Sequence, residues 1–261
     1  MELEENRETE SNYYKETSLE VPYDLIPLPS KGLLYPGKQE TIEVEYLTAM
    51  DENILTSQNL LRSGKFVDVL LKRKIKNKNI DPKDLLIGDR NAILIWLRAT
   101  GYGEKYPVTI TMDDGEEFES EVDLTTLKQK QLGAKPDENG LFDFELPMTK
   151  KRIKFRLLTA KDEDEISKRV EAQQKRKAEY TDNITHKLGL QIMSIDGRTD
   201  KEWIFNYVRV MPARDSLALR KYINEIEPGM DLTISLEGPG GDPIDTFLVI
   251  GPDFFWPEFG L

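Results

Sequence analysis

The chain has 261 residues, 38% of them hydrophobic and 32% charged, with a formal net charge of −12 and a pI near 4.8. So acidic a composition argues against a duplex-binding surface, which needs clustered lysine and arginine against the phosphate backbone. Cysteine is absent, which excludes disulfides and thiolate metal sites, and no apolar run approaches the length of a membrane span.

Residues 1–20 are acidic and polar, with almost no aliphatic side chains to offset the entropy of ordering, and read as a free arm with Tyr13 and Tyr14 as its only docking features. They lack the basic and apolar regions of a secretory signal. Residues 21–40 form a proline-rich strip whose Pro22, Pro27 and Pro29 force extended backbone. Such a strip suits lying along a surface, this chain's own or a partner's.

An alternating run from Thr41 to Tyr46 predicts a half-buried strand, and Leu47-Thr48-Ala49-Met50-Asp51-Glu52 predicts a helix start capped by threonine with an acid three residues on. Gly64 breaks the helical pattern, and 66–75 resumes it. The basic run 72–78 reads as a solvated helix end; a nucleic-acid module would need it on an open face. Asp81-Pro82 starts a short helical element, Asp89 is expected to cap the next helix, and 92–97 is apolar nearly all round and so the most buried part of the first half. Residues 108–112 begin a hairpin, with Asp113-Asp114-Gly115 as its turn. That acidic turn lacks the spaced ligands of a calcium loop.

After a boundary at 136–140, the same order returns. A run from Arg152 to Leu157 leads into Leu158-Thr159-Ala160-Lys161-Asp162-Glu163, and a second hairpin begins at Leu232. The threonines stand 111 residues apart (159 − 48) and the later strands 124 (232 − 108), so the second half carries thirteen more residues. A longer first helix over 161–180, with acid-first pairs Asp164/Lys168, Glu165/Arg169 and Glu171/Lys175, accounts for them economically. Ile184, Leu188, Ile192 and Ile195 form a helical stripe interrupted by Gly189. Thr199 with Glu202 predicts another capping box before a buried helix at 203–208, and Pro228-Gly229 stops the helix that follows. The fold class expected is α+β: two related halves from an internal duplication, each strand, helices and hairpin, at 41–135 and 136–250. An aromatic tail occupies 251–261.

No reactive set is evident. His186 is the only histidine and has no cysteine to activate, no glycine-flanked serine elbow is present, and Gly238-Pro239-Gly240-Gly241 lies between strands rather than before a helix. Neither a cofactor nor a metal is expected. Apolar and aromatic segments stand at the two ends of the chain, and Leu28, Lys31, Tyr35, Phe254, Phe255 and Trp256 are the candidate interface anchors. In the competing reading the aromatic tail closes over the chain's own core.

Several strings resemble the baseplate hub proteins of T4-like contractile-tailed bacteriophages: Leu28-Pro29-Ser30-Lys31-Gly32 with Tyr35, residues 47–55, residues 85–94 including Gly88-Asp89-Arg90-Asn91-Ala92-Ile93-Leu94, Gly101-Tyr102-Gly103, Asp215-Ser216 with Leu219-Arg220, and Phe254-Phe255-Trp256-Pro257. The likeness runs from about residue 21 to the end. It implies a non-enzymatic structural component or assembly factor, with other baseplate and tail proteins as partners, oligomeric within a symmetric particle, without nucleic acid or a membrane span. The implied location is the virion tail baseplate, with host cytoplasm during assembly. Many relatives carry cysteine pairs at the two hairpin turns; this chain has none there, so a zinc knuckle is not implied. The alternatives are an assembly chaperone absent from the mature virion and a carboxylate-dependent cell-wall hydrolase, the latter marked by a cleft with two opposed acids.

Overall fold

The proline-rich strip is a strand of the chain's own sheet. In the computed structural model, which describes residues 20–35, 37–111, 117–238 and 241–255, β1 (Tyr23–Pro27) pairs antiparallel with β2 (Thr41–Glu45), Tyr23 opposite Glu45 and Pro27 opposite Thr41. Proline is tolerated there because β1 is an edge, where its missing N–H leaves no ladder bond unmade. β2 turns through Thr48 into α1 (Ala49–Leu55), followed by α2 (Gln58–Arg62) and α3 (Phe66–Lys74). Gly64 lies between the last two at φ +66°, a left-handed conformation that glycine enters without strain. A short 3₁₀ turn, Pro82–Asp84, is capped by Asp81, whose carboxylate accepts from the Lys83 N–H. The long helix α4 (Ile87–Tyr102) comes next, with Ala92, Ile93, Leu94, Ile95 and Leu97 all buried as expected. It leads into the hairpin of β3 (Lys105–Thr111) and β4 (Glu117–Asp123). The Asp-Gly turn between these strands lies outside the described residues.

After β5 (Gln129–Lys130), a three-stranded antiparallel sheet forms from β6 (Phe142–Glu145), β7 (Arg152–Phe155) and the later β8. β7 turns through Thr159 into α5 (Ala160–Lys175), then α6 (Asn183–Gln191), β8 (Ile192–Ile195), α7 (Lys201–Val210) and α8 (Ala213–Ile226). The two-residue β9 (Gly229–Met230) pairs with β5, and β10 (Thr233–Glu237) with β11 (Pro243–Phe247) makes the second hairpin. The chain is thus α+β, with small antiparallel sheets and helices between them.

Two hydrophobic clusters hold the molecule. One gathers β1, β2, α3, α4 and the first hairpin, and it is completed by Leu232, Ile234, Leu236, Leu248, Phe254 and Phe255 from the far end of the chain. The other lies between β6–β8 and helices α6–α8, and takes Leu86 from the first half. Each half therefore lends side chains to the other's core.

Local expectations fail where a distant partner wins. Asp89 does not cap α4: Leu86 is the cap, and Asp89 is the third helical residue with its carboxylate directed elsewhere. Nor do Thr199 and Glu202 form a box, because Asp200 caps α7 by accepting from the Trp203 N–H. The stripe 184–195 divides, since Ile192 and Ile195 lie in β8, where the open side of β7 offers a ladder. Gly189 admits the Phe205 ring, which an added Cβ would meet at 2.3 Å. On α5, of the three expected acid-first pairs only Glu171–Lys175 forms, at 3.7 Å. Arg169 turns instead to Asp182, and Asp164 faces Lys83. As expected, α5 is the longer helix, 16 residues against seven in α1. Between β8 and α8 the second half also carries the ten-residue α7, whereas the first half has a three-residue 3₁₀ turn before α4.

Candidate interaction site

The turn between β1 and β2 carries three of the six predicted anchors, and it is held by one buried aspartate. Ser30 donates its N–H to Asp89 Oδ1 at 2.9 Å and its hydroxyl to Oδ2 at 2.6 Å; the Tyr35 hydroxyl donates to Oδ2 at 2.5 Å and accepts from the Leu86 N–H at 2.8 Å. Burial pushes the Asp89 carboxyl above the ordinary range, against which the Ser30 and Tyr35 hydrogen bonds act. Leu28 is buried beneath the turn, and Lys31 stays exposed at φ +53°. At the other end, Phe254 and Phe255 are buried against Tyr106 and each other, and Arg98 donates to the Phe254 carbonyl at 2.9 Å. For these two rings the packing follows the inward reading of the tail. Leu28, Phe254 and Phe255 thus have no free surface to offer, while Lys31 does. Trp256 lies outside the described residues.

A second aspartate does the same work in the second half. Asp215, third residue of α8, accepts from the N–H groups of Met148 and Thr149 at 2.7 and 3.0 Å and from the Thr149 hydroxyl at 2.8 Å. Burial raises its carboxyl, but these donors win and hold it below the ordinary range. From sequence, Asp215 stands out by its place in the repeat, Arg214-Asp215 against Asp89-Arg90, and by the resemblance, and neither assigns it this role. A usable signal was present: Leu28-Pro29-Ser30-Lys31 is echoed by Leu146-Pro147-Met148-Thr149-Lys150, and Lys150, like Lys31, has a left-handed φ, +58°.

The two capping aspartates are also paired with cations. Asp51 Oδ2 accepts from Thr48 N–H and hydroxyl and from the Lys74 ammonium at 2.7 Å, and Asp51 Oδ1 from Arg73 at 2.7 Å. Burial alone would raise its carboxyl; the Lys74 and Thr48 hydrogen bonds bring it below the ordinary range. Lys74 is only 1% exposed, and Lys76 sits over the Tyr23 ring at 3.4 Å, so the basic run 72–78 does not turn all its cations outward. Asp162 meets the fork of Arg156 at 2.6 and 2.7 Å and likewise ends below the ordinary range. His186 lies between Glu165, 3.3 Å away, and the Phe205 ring.

One cleft bears on the hydrolase alternative. A space of about 770 Å³ between the halves is lined by Glu163, Lys187, Lys130 and Glu227, among others. Burial pushes the Glu227 carboxyl up, Lys187 and Lys130 pull it down, and Glu163 adds to the rise. Among the described residues no group of three or more histidine, aspartate or glutamate side chains is placed to hold a metal ion, and no helix is long and apolar enough to cross a membrane.

Residues 28–141 match the model of the T4 bacteriophage base plate protein family. The resemblance to T4-like phage baseplate proteins therefore holds over the first half, from the Ser30 turn to the residue before β6. The matched stretch is 114 of the 261 residues (141 − 28 + 1), less than half of the chain. It is narrower than the likeness expected from sequence, since the strings around Asp215 and Phe254 lie outside it. No curated protein and no solved structure matches the chain. Within the matched region two of the strings that carry the resemblance meet one another: Leu28-Pro29-Ser30-Lys31-Gly32 and Gly88-Asp89-Arg90 are joined by the aspartate clasp.

Proposed function

We propose that this chain is a non-enzymatic subunit of the baseplate hub, binding other baseplate proteins and retained in the mature tail. The observation that carries this reading is the aspartate clasp, which lies within the matched residues 28–141. Ser30, Tyr35 and Asp89 saturate one another, so the pattern serves to fasten a turn onto a helix and leaves no reactive group free. A scaffold needs a fixed shape more than a reactive centre, and buried polar networks with every member satisfied specify shape. Mass spectrometry and electron microscopy of purified tails test it: recovery in stoichiometric amount supports a structural subunit, and consistent absence makes the chain an assembly chaperone instead.

The cell-wall hydrolase reading has the Glu163 and Glu227 cleft in its favour. Against it, although burial raises the Glu227 carboxyl, Lys187 and Lys130 face it and pull it back down, the opposite of what a proton-donating acid needs. Release of soluble fragments from peptidoglycan by the purified chain, abolished by Glu227→Gln, would overturn the non-enzymatic reading.

We also infer that the halves descend from one duplicated module. Beyond the shared turns and clasps, a compensated exchange supports this. Val44 bridges Ile75 in the first half, and Phe155 pairs with Ile192 in the second, which brings Lys74 and Gln191 into correspondence. Glu45 and Arg156 correspond in the same frame, each the residue after the strand position that makes the pairing. The first half thus has Glu45 and Lys74, 3.9 Å apart, where the second has Arg156 and Gln191: the capping aspartate takes its cation from the helix residue Lys74 in the first half and from Arg156, at the strand end, in the second. Arg156→Glu should destabilise the chain, and adding Gln191→Lys should restore most of the loss by recreating the first half's arrangement. A double variant no better than the single would count against common descent.

A further inference from the structure

The contact between the halves joins two surfaces, and each has a counterpart left bare. Inside the chain, the start of α5 rests on the start of α4: Ala160 donates its N–H to the Leu85 carbonyl at 2.9 Å, Thr159 bridges Leu86, and Glu163 pairs with Arg90 at 2.9 Å. Asp164 adds a weaker contact to Lys83 at 3.7 Å. Acids on the start of one helix thus meet cations at the start of the other, over buried Ala160, Leu85 and Leu86.

In the frame of the duplication, on which this step rests, the counterparts of these surfaces are the start of α1 and the start of α8. Ala49 corresponds to Ala160 and is exposed; Met50 beside it is 59% exposed, and Glu52 stands where Glu163 does. At the other end, Leu217 is 46% and Val210 76% exposed, and Arg214 and Arg209 are exposed cations on the same rim. The starts of α1 and α8 are exposed rather than covered by one another, so the chain does not bring this pair together in the way it joins α4 to α5.

We propose that they meet between copies: the start of α8 in one chain docks on the start of α1 in the next, repeating head to tail the contact that α4 and α5 make within the chain. Glu52 of one copy faces Ser216 of the other, the counterpart of Arg90, with the exposed cations Arg214 and Arg209 on the same helix start supplying the opposite charge. A heterologous contact of this kind closes into a ring if its rotation divides a full turn, and otherwise continues as a filament. The copy-to-copy contact is smaller than the internal one. Gly88 lets the Pro228 carbonyl approach so closely that a Cβ would meet it at 2.0 Å, and Arg214 stands in Gly88's place, so that part of the packing is not repeated. Association is accordingly weak in dilute solution and favoured where copies are concentrated on a particle.

The chain's lack of cysteine makes the test clean. The full-length double variant Glu52→Cys with Ser216→Cys, treated with a short bismaleimide at increasing protein concentration, should give a ladder of dimers, trimers and higher species. Either single variant should stay monomeric, and Arg214→Glu added to the double variant should suppress the ladder. Equal crosslinking in single and double variants, or a dimer from Glu52→Cys alone as abundant as from the pair, overturns the head-to-tail contact. The exchange of Arg156 and Gln191 reports separately on duplication: a ladder together with a failed exchange leaves the contact standing and removes its evolutionary rationale. A successful exchange without a ladder does the reverse.

Discussion

Tyr35→Phe removes a single oxygen and tests whether the aspartate clasp holds the first half together. That oxygen makes two hydrogen bonds, donating to Asp89 Oδ2 at 2.5 Å and accepting from the Leu86 N–H at 2.8 Å. Its loss withdraws one of three donors from a buried carboxylate, which costs about 1.5–3 kcal/mol for a bond to a charged group, and strands a buried backbone donor at about 1–3 kcal/mol. The two terms overlap, because Tyr35 is only partly buried and water entering beside the ring satisfies part of the Leu86 N–H. The expected destabilisation is about 3 kcal/mol, which for a chain of this length lowers the melting midpoint by about 6–12 °C.

Thermal and urea unfolding followed by circular dichroism measure the loss, and hydrogen exchange locates it: protection should fall at the start of α4 and in the turn after β1. Ser30→Ala is the companion variant, since its hydroxyl donates to the same Oδ2 at 2.6 Å. Two donors on one oxygen share its charge, so the double variant should lose less than the two single losses added together. A Tyr35→Phe chain within about 0.5 kcal/mol of the parent, the range of an ordinary surface substitution, would refute the clasp as a source of stability. Strict additivity with Ser30→Ala would show that the two hydroxyls do not act on a common group.

Three further outcomes follow from the packing. Gly88→Ala places a methyl where the Pro228 carbonyl already lies, so it should destabilise by about 1–3 kcal/mol and raise hydrogen exchange at 228–230 more than within either core. Phe254→Ala, or truncation after Gly251, should reduce solubility and melting temperature, the point variant by about 3–5 kcal/mol, because the ring is fully buried against Tyr106 and Phe255; a truncated chain with unchanged melting would show that the tail does not close this core. Asp182 is pulled from 3.8 to about 2, first by Arg169. A depressed folded-state value gives stability that is present above pH 3.8 and lost as pH falls toward 2, so Asp182→Asn should flatten the acid limb of the pH–stability curve in that window while changing little of its slope above it.

What could be read from the sequence was what neighbouring residues decide. Thr48 with Asp51 and Thr159 with Asp162 are three apart, and both form the box their spacing implies. Gly64, Asp81-Pro82 and the apolar run in α4 are likewise local, and each behaves as its residues suggest. Asp89 shows the limit. An aspartate at a helix start reads as a cap under any local rule, yet its donors lie 59 and 54 residues earlier, and nothing within a helical turn points to them. Arg169 is a similar case: Glu165 sits at favourable spacing one turn away, but Asp182 accepts from both sides of its fork. The aromatic tail was undecidable for a different reason. Buried cores and binding surfaces draw on the same large rings, so Phe254 and Phe255 take their meaning from what Arg98 and Tyr106 present to them.

The joint between the halves is made largely of backbone, and this bears on what kind of part the chain is. Ala160 bonds to the Leu85 carbonyl, Gly133 to that of Ile226, and Asp231 to that of Lys128, while Gly88 and Gly229 let the two main chains touch and β5 pairs with β9. Side chains can repack when a joint slides, whereas backbone groups in direct contact have a fixed register and a narrow range of distances. Each half also completes the other's core, the second hairpin and tail lying in the first cluster and Leu86 in the second. Sliding one half against the other would therefore break ladder bonds and open both cores at once. A hinge-bending machine avoids such a joint; a spacer that must fix the angle between its neighbours benefits from it, and that is the mechanical property a baseplate subunit with two bare and complementary helix ends would use.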